Sequence, residues 1–294
     1  MVVPAHVRAA LTEGDIPTVE AYLDGGADIN DVVEQDGLDT FLMTIPLLIN
    51  EITEGHVALV KMLLRRGADV NCVPDLGEEG GGSDGYSALQ CCLDALPYAS
   101  SPAKKVIMEI LRIYIDSGAN VNYKDTSEEA PLGMALYMPF WYGVGEQPSA
   151  AFEAAKLLLR GWASLDGCRE DEENEYRSTT AEQILRQAER GTELAHNEHF
   201  VACKALVADM RAAGGTWRHY VLHMPKELLR LRSLVARGRA REIKRLRART
   251  PREVALLLSP TFPNELLWRV LEYWNPRYER APRRRRGDLE PLVV

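Results

Sequence analysis

Three groups of residues in this sequence have types and spacings that chemistry uses. His196, His199 and Cys203 fall at i, i+3 and i+7 of TELAHNEHFVACKAL, which reads as one helix. That spacing puts two imidazoles and a thiol, all zinc-ligand types, on one face. No fourth ligand with matching spacing is visible, so the face reads as two surface histidines beside a buried cysteine. Cys91 and Cys92 are adjacent on a second expected helix, and no C-x-x-C pair occurs. They read as small apolar packing residues. The run GGGSDG, 80–85, lacks the Lys-Ser/Thr and the preceding apolar strand of a phosphate loop. Neither a G-x-S-x-G elbow nor an H-E-x-x-H helix is present. The chain reads as a non-enzyme, with no metal and no cofactor called for.

Behind these side chains stands a repeated element. GADIN (26–30), GADVN (67–71), GANVN (118–122) and the divergent WASLD (162–166) each follow an apolar run such as VKMLLRR. Each run reads as the last turns of an amphipathic helix. The glycines 26, 67 and 118 fall where a helix ends in a left-handed residue, which glycine adopts cheaply. The Asp or Asn that follows can bond nearby amides and hold a turn. Upstream lies a second, shorter apolar segment, opening with TFLM (40–43), SALQ (87–90) or APLG (130–133). The unit is turn, helix, loop, helix, sharp stop.

This unit resembles the ankyrin repeat, with its T-P-L-H start and L-L-L-x-x-G-A-D-V-N end. EGHVALVKMLLRRGADVN, 54–71, is similar to the second half almost letter for letter. The resemblance implies an all-α ankyrin-repeat solenoid of about five helix pairs followed by a small C-terminal helical module. The array is expected over 1–215, with repeats at about 5–31, 36–73, 84–123, 127–167 and 178–215. No copy carries the family's His after T-P-L, so the bonds it makes must be found elsewhere. From start motif to stop, Thr40–Asp69, Ser87–Asn120 and Ala130–Ser164 span 29, 33 and 34 residues. A 33-residue unit implies about 23. The extra residues are expected between the two helices of repeats 2, 3 and 4, where LPYASSPAKK and YMPFWYGVGEQPS interrupt the helical period.

An ankyrin stack implies function through its surface: a non-catalytic scaffold that holds a protein client on its concave, finger-bearing face. The finger turns carry Glu34, Gln35, Asp36, Asp84, Tyr86, Tyr123, Lys124 and Asp125, mostly acids with two tyrosines. A basic client segment fits them. Two further insertions, PDLGEEGGGSDG (74–85) and DGCREDEENEYRS (166–178), should project as fingers. The rival site is the inserted edge with Phe140, Trp141 and Tyr142, since aromatics and Met concentrate at interface anchors. The same cluster can instead fold back on its neighbour's loop.

After Gly215 the composition changes. Residues 1–210 carry 35 Asp+Glu against 15 Lys+Arg, a net −20, whereas residues 211–294 carry 8 against 20, a net +12. A helical module is expected over 216–276 and a basic, disordered tail over 277–294. MPKELLRLRSLVARG reads as a helix with Pro225 at its first position and Gly238 just past its end. TPREVALLL reads as capped by Thr250, with Pro251 and Glu253 behind it. FPNELLWRVLEYW places Leu266, Leu267, Val270, Leu271 and Trp274 on one face. This tandem is similar to the ankyrin-repeat and SOCS-box proteins. That resemblance implies a second function, substrate receptor of a cullin-type ubiquitin ligase, with ligase subunits bound through 225–274. FPNELLWRVLEYW also echoes the opening of an F-box. The simpler reading is a helical cap with a polar outer face.

Five cysteines without regular spacing fit a reducing compartment and a cytoplasmic protein. Arg283, Arg284, Arg285 and Arg286 form a basic cluster that fits nuclear import. Nucleic-acid binding is disfavoured by the acidic array and by the lack of aromatics among the Arg residues. No apolar run is long enough to span a bilayer, so no membrane partner is expected.

Overall fold

The computed structural model of the chain describes residues 3–33, 39–73, 85–142, 147–171, 174–191, 193–239, 252–259 and 261–274. It falls into two compact units, Met1–Thr216 and Trp217–Val294.

The first unit is built of helix pairs. They are α1 (Ala5–Glu13) with α2 (Ile16–Asp24), α3 (Phe41–Leu47) with α4 (Glu54–Arg65), and α5 (Ala88–Ala95) with α6 (Ser101–Asp116). The series continues with α7 (Pro131–Tyr142) and α8 (Gln147–Arg160), then α9 (Ala181–Gly191) and α10 (Glu198–Ala212). The first helices pack in order, α1 on α3, α3 on α5, α5 on α7 and α7 on α9. The second helices do the same, α2 on α4, α4 on α6, α6 on α8 and α8 on α10. The result is two helical layers with the core between them.

The core follows from helical spacing. On α6, Val106, Ile107, Ile110, Leu111 and Tyr114 are buried, and on α4, Val57, Leu59, Val60, Met62 and Leu63. Each large aliphatic side chain so buried contributes roughly 1.5–3 kcal/mol. Tyr114 is wholly buried, and its hydroxyl donates to Leu42 O at 2.6 Å, tying α6 to the preceding pair. Phe152 and Phe200 meet at 5.7 Å between ring centres, joining α8 to α10.

The helices begin where the sequence supplies caps. Ser87 N donates to Gln90 Oε1 at 3.0 Å and Gln90 N to Ser87 Oγ at 3.4 Å, a reciprocal capping box. Thr180 and Gln183 repeat it at the start of α9. Thr53 N donates to His56 Nδ1 at 3.0 Å. The opposite nitrogen of His56, Nε2, therefore carries the proton and donates to Leu11 O at 3.0 Å and Thr12 O at 3.2 Å. One buried imidazole thus caps α4 and fastens it to the pair before.

Three expectations about the helix pairs change. The aromatic stretch of repeat 4 does not interrupt the helix, because α7 runs on through Tyr142. Tyr137 and Met138 are buried in it. Repeat 3 likewise absorbs part of its extra length in α6, 16 residues against 12 in α4. The stretch with His196, His199 and Cys203 is not one helix. His196 ends a short 3-10 turn, Glu193–His196, and Asn197 opens α10 by accepting from His199 N and Phe200 N. The insertion expected to project as a finger, 166–178, has strands of its own. β1 (Arg169–Asp171) and β2 (Asn174–Thr179) pair antiparallel, so the helical chain carries one short hairpin.

The second unit holds α11 (Trp217–Ala236), α12 (Arg252–Leu258) and α13 (Asn264–Trp274). Pro225 lies inside α11 rather than at its start. With the turn before it already helical, its missing N–H leaves the Val221 carbonyl without a helical bond, a local cost that α11 bears. Gly238 does end the segment, at φ 65°. Thr250 and Pro251 lie outside the described residues. Leu228, Leu267 and Leu271 form a small core flanked by Leu229, Leu257, Leu258 and Phe262. The Arg232 guanidinium, nearly buried, donates to Leu257 O at 3.4 Å and to Phe262 O, satisfying the carbonyls beside that core.

Candidate protein-binding face

The finger between repeats 3 and 4, residues 122–129, is braced from within. Asp125 Oδ1 accepts from Ser127 N and Glu129 N, both at 2.9 Å. Asp125 Oδ2 accepts from Gln90 Nε2 at 3.2 Å, and the same nitrogen donates to Glu129 O at 3.0 Å. Gln90 is wholly buried and Asp125 nearly so. Gln90 occupies the fourth position of SALQ, where the sequence motif has its histidine, and it makes the inter-repeat bonds whose source the sequence left open. Asp125 is therefore withdrawn from the set of client-facing residues: its carboxylate points inward and holds the turn. Around it, Tyr123 and Lys124 stay half-exposed, and Lys124 pairs with the exposed Glu128 at 2.9 Å. Glu128 turns at φ 56°, a left-handed value for a non-glycine residue. Burial, then the Asp125 carboxylate, raises the Tyr123 hydroxyl above its ordinary pKa.

The stops line up along one edge. Asn30 Oδ1 accepts from Asp69 N at 2.9 Å, Asn71 Oδ1 from Asn120 N at 2.7 Å, and Asn122 Oδ1 from Ser164 N at 2.7 Å. Asn71 and Asn122 also donate to Gly118 O at 3.2 Å and Trp162 O at 3.3 Å. Each final Asn of the pentapeptide thus grips the next stop. Asp166 stands in that place in WASLD. It binds Arg211 of α10 at 2.7 Å instead, and Arg211 also reaches Glu182 at 2.6 Å. Arg211 holds both carboxylates below the usual range, chiefly through these hydrogen bonds.

The stop geometry is that of a helix ended by a left-handed residue: Gly26, Gly67 and Gly118 turn at φ 89°, 96° and 94°. A family model for the ankyrin repeat matches residues 46–75, which contain α4 and the stop at Gly67. The chain contains an ankyrin repeat. No curated protein matches it. Ankyrin repeats mediate protein–protein interaction and are typically non-catalytic, so the matched repeat points to a protein-interaction module.

The other sequence-derived sites are distributed as follows. Tyr86 is half-exposed at the turn before α5. Glu34, Gln35, Asp36 and Asp84 lie outside the described residues. Phe140, Trp141 and Tyr142 form the last turn of α7, on the edge opposite the stops, and the structure describes their backbone alone. The fourth finger is the β1–β2 hairpin, sewn on by Cys168 N to Thr179 O at 2.9 Å and by the Arg169 guanidinium 4.8 Å above the Tyr137 ring.

His196 and His199 are exposed and Cys203 is buried. Among the described residues, no group of three or more His, Cys, Asp or Glu is placed to hold a metal ion. Burial pushes the Cys168 and Cys203 thiols up to about 12 and raises Cys91 and Cys92 well above their usual value. Such thiols stay protonated at neutral pH and are poor nucleophiles. No helix among the described residues is long and apolar enough to cross a membrane.

Sequence reading missed three residues here: Gln90, Asp125 in its inward role, and Trp162. Aligning RGWASLD under RRGADVN carries the last signal, since it puts Trp162 under Gly67.

Proposed function

We propose that this chain is a non-catalytic scaffold that presents its finger turns to a basic segment of a protein client. The client lies against Tyr86, Tyr123 and Lys124, with Glu34, Asp36 and Asp84 supplying acidic contacts and Gln35 a neutral one. The buried Gln90–Asp125 brace carries this reading. A turn already fixed from beneath loses little conformational freedom on binding, so contacts at its surface convert to affinity more fully. Tyrosines suit such a surface, being rigid, amphipathic anchors. The net −20 of residues 1–210 favours a cationic partner and accelerates its encounter.

The test begins with the client recovered by affinity purification from the source cell. Tyr86→Ala combined with Tyr123→Ala should weaken its binding ~30-fold or more, as for loss of central aromatic anchors. Trp141→Ala should leave affinity unchanged. The reverse result moves the site to the end of α7.

A second reading rests on the C-terminal unit. Leu231, Leu256 and Leu266 are 44%, 55% and 46% exposed, one on each of α11, α12 and α13. Exposed leucines on every helix suit a docking face for ligase subunits, which makes the chain a substrate receptor of a cullin-type ubiquitin ligase. Elongin or cullin subunits recovered by the full chain, and lost on deletion of 216–294, would support it. Recovery of clients alone would leave a scaffold. Either role is placed in the cytoplasm, with nuclear entry through Arg283–Arg286.

A further inference from the structure

Three of the four stops, at Gly67, Gly118 and Trp162, share one pair of backbone bonds but not one residue. Gly67 N donates to Leu64 O at 3.2 Å and Ala68 N to Leu63 O at 3.1 Å. Trp162 N and Ala163 N make the same bonds to Leu159 O at 3.2 Å and Leu158 O at 3.0 Å. Trp162 thus occupies the left-handed position, at φ 78°. Only glycine takes that conformation without strain, and strained residues persist where the surroundings or a function require them. The glycine one residue earlier answers a different need. A Cβ on Gly161 would lie 2.8 Å from Ile115 Cγ2 and 3.2 Å from Val121 Cγ1. Packing does not account for the indole, because Trp162 is 54% exposed. The corresponding glycines 26, 67 and 118 have nothing within 4 Å of a built Cβ, so packing does not forbid a side chain at those stops either.

The edge has a defined electrostatic character. The Asn bridges place the stops side by side, so α2, α4, α6 and α8 all deliver their C-terminal ends to it. Each such end carries about half a negative charge. Asp24 and Asp116 are the last residues of α2 and α6, where that dipole disfavours an acid, and both are exposed. Asp69 is exposed on the same edge. Of the basic groups nearby, Arg66 is held by Asp24, Arg211 by Asp166 and Glu182, and Arg65 and Arg160 end α4 and α8. The aligned helix ends, with Asp69 and Asp116, attract a cation, and the face of an exposed indole is a seat for one.

We infer that Trp162 anchors a Lys- or Arg-bearing segment of the protein client, with a side-chain cation stacked on the indole. This rests on the basic-client reading above and adds a contact point outside the fingers. The probe is a fluorescein-labelled nona-arginine peptide, titrated by anisotropy against the full chain at physiological salt. Trp162→Asn keeps the stop, since Asn tolerates the left-handed region, and Trp162→Phe keeps an aromatic face. Circular dichroism verifies that each variant folds. The expected result is about a tenfold loss of affinity for Trp162→Asn and less than about threefold for Trp162→Phe, the span of a partly desolvated cation–π contact. Equal binding by wild type and Trp162→Asn overturns the anchor and leaves the basic-client reading standing. Equal losses in both variants also overturn it, because the ring face is retained in one. No binding by the wild-type chain overturns both.

Discussion

Replacing Gln90 with methionine should expose how far a single buried amide holds the third finger. The substitution nearly conserves volume, so cavity and strain contributions are small. What it removes is polar. Gln90 Oε1 accepts from Ser87 N and Ser87 Oγ, each at 3.0 Å, and Nε2 donates to Asp125 and Glu129. Ser87 N and Asp125 Oδ2 lose this partner, while Glu129 O keeps its 3.3 Å bond from Asp125 N. Ser87 and Asp125 are each 5% exposed, so water does not readily replace the amide. An orphaned buried group costs about 1–3 kcal/mol, and methionine recovers part of this by being easier to bury. The net expectation is a loss of about 3 kcal/mol. For an array of this size that lowers the melting temperature by about 6–12 °C.

Urea unfolding followed by circular dichroism gives the energy, and hydrogen exchange of peptides covering 123–129 gives the place. Exchange should quicken at Ser127 and Glu129, whose amides depend on Asp125 being held. Gln90→His, which supplies the residue of the repeat motif, should lose less than Gln90→Met. A Gln90→Met protein within about 0.5 kcal/mol of wild type, or with unchanged exchange at 123–129, would show that the turn is held by something other than this amide.

Three further outcomes are expected. Gly67→Val should cost about 1–3 kcal/mol, all of it conformational, because φ is 96° and nothing lies within 4 Å of the new Cβ; an unchanged melting temperature would refute the left-handed stop. Gly133→Ala should cost about 3 kcal/mol for the opposite reason, since its Cβ would sit 2.2 Å from Cys168 O and displace the 2.9 Å bond from Ala130 N; thermal melts of the two variants separate strain from collision. Arg211→Gln should lower stability by about 0.5–1 kcal/mol at pH 7, a surface-pair magnitude. Asp166 and Glu182 have depressed folded pKa values, so this contribution is present above the ordinary carboxylate range of about 4 and is lost as the pH falls through the lower folded values. Wild type and Arg211→Gln should therefore melt alike near pH 2, and a gap that persists there would exclude the carboxylates as its source.

What the sequence discloses is what is encoded locally. Gly67 and the apolar run before it lie within one helical turn of each other, so the stop is legible as letters. Gly133 is not: its reason is the Cys168 carbonyl, 35 residues away. Gln90 shows the same distance effect, since nothing near SALQ indicates that its partner is Asp125. Local rules also compete. Pro225 satisfies the preference for a helix start, yet the turn before it is helical, and α11 runs through it. Asn197 reads as one more helical residue in a His/Cys pattern, although its side chain is the cap that splits the pattern. The hairpin at 169–179 was hidden by its acids, which mark exposure and say nothing of pairing.

The Asn bridges have a mechanical consequence. From Asn30 to Ser164 they fix the separation of successive stops through short bonds to backbone amides, so this edge behaves as a chain of tie rods that resists extension. Opposite it, the connections within the pairs differ in length: 48–53 after α3, 96–100 after α5 and 143–146 after α7. Bending the array must therefore pivot about the stop edge and open or close the other, as a hand fan turns about its rivet. Force applied by a client at the fingers is borne beside the pivot, where displacement is least. The same force applied near Trp141 acts at the full radius, where a small rotation per repeat becomes a large movement.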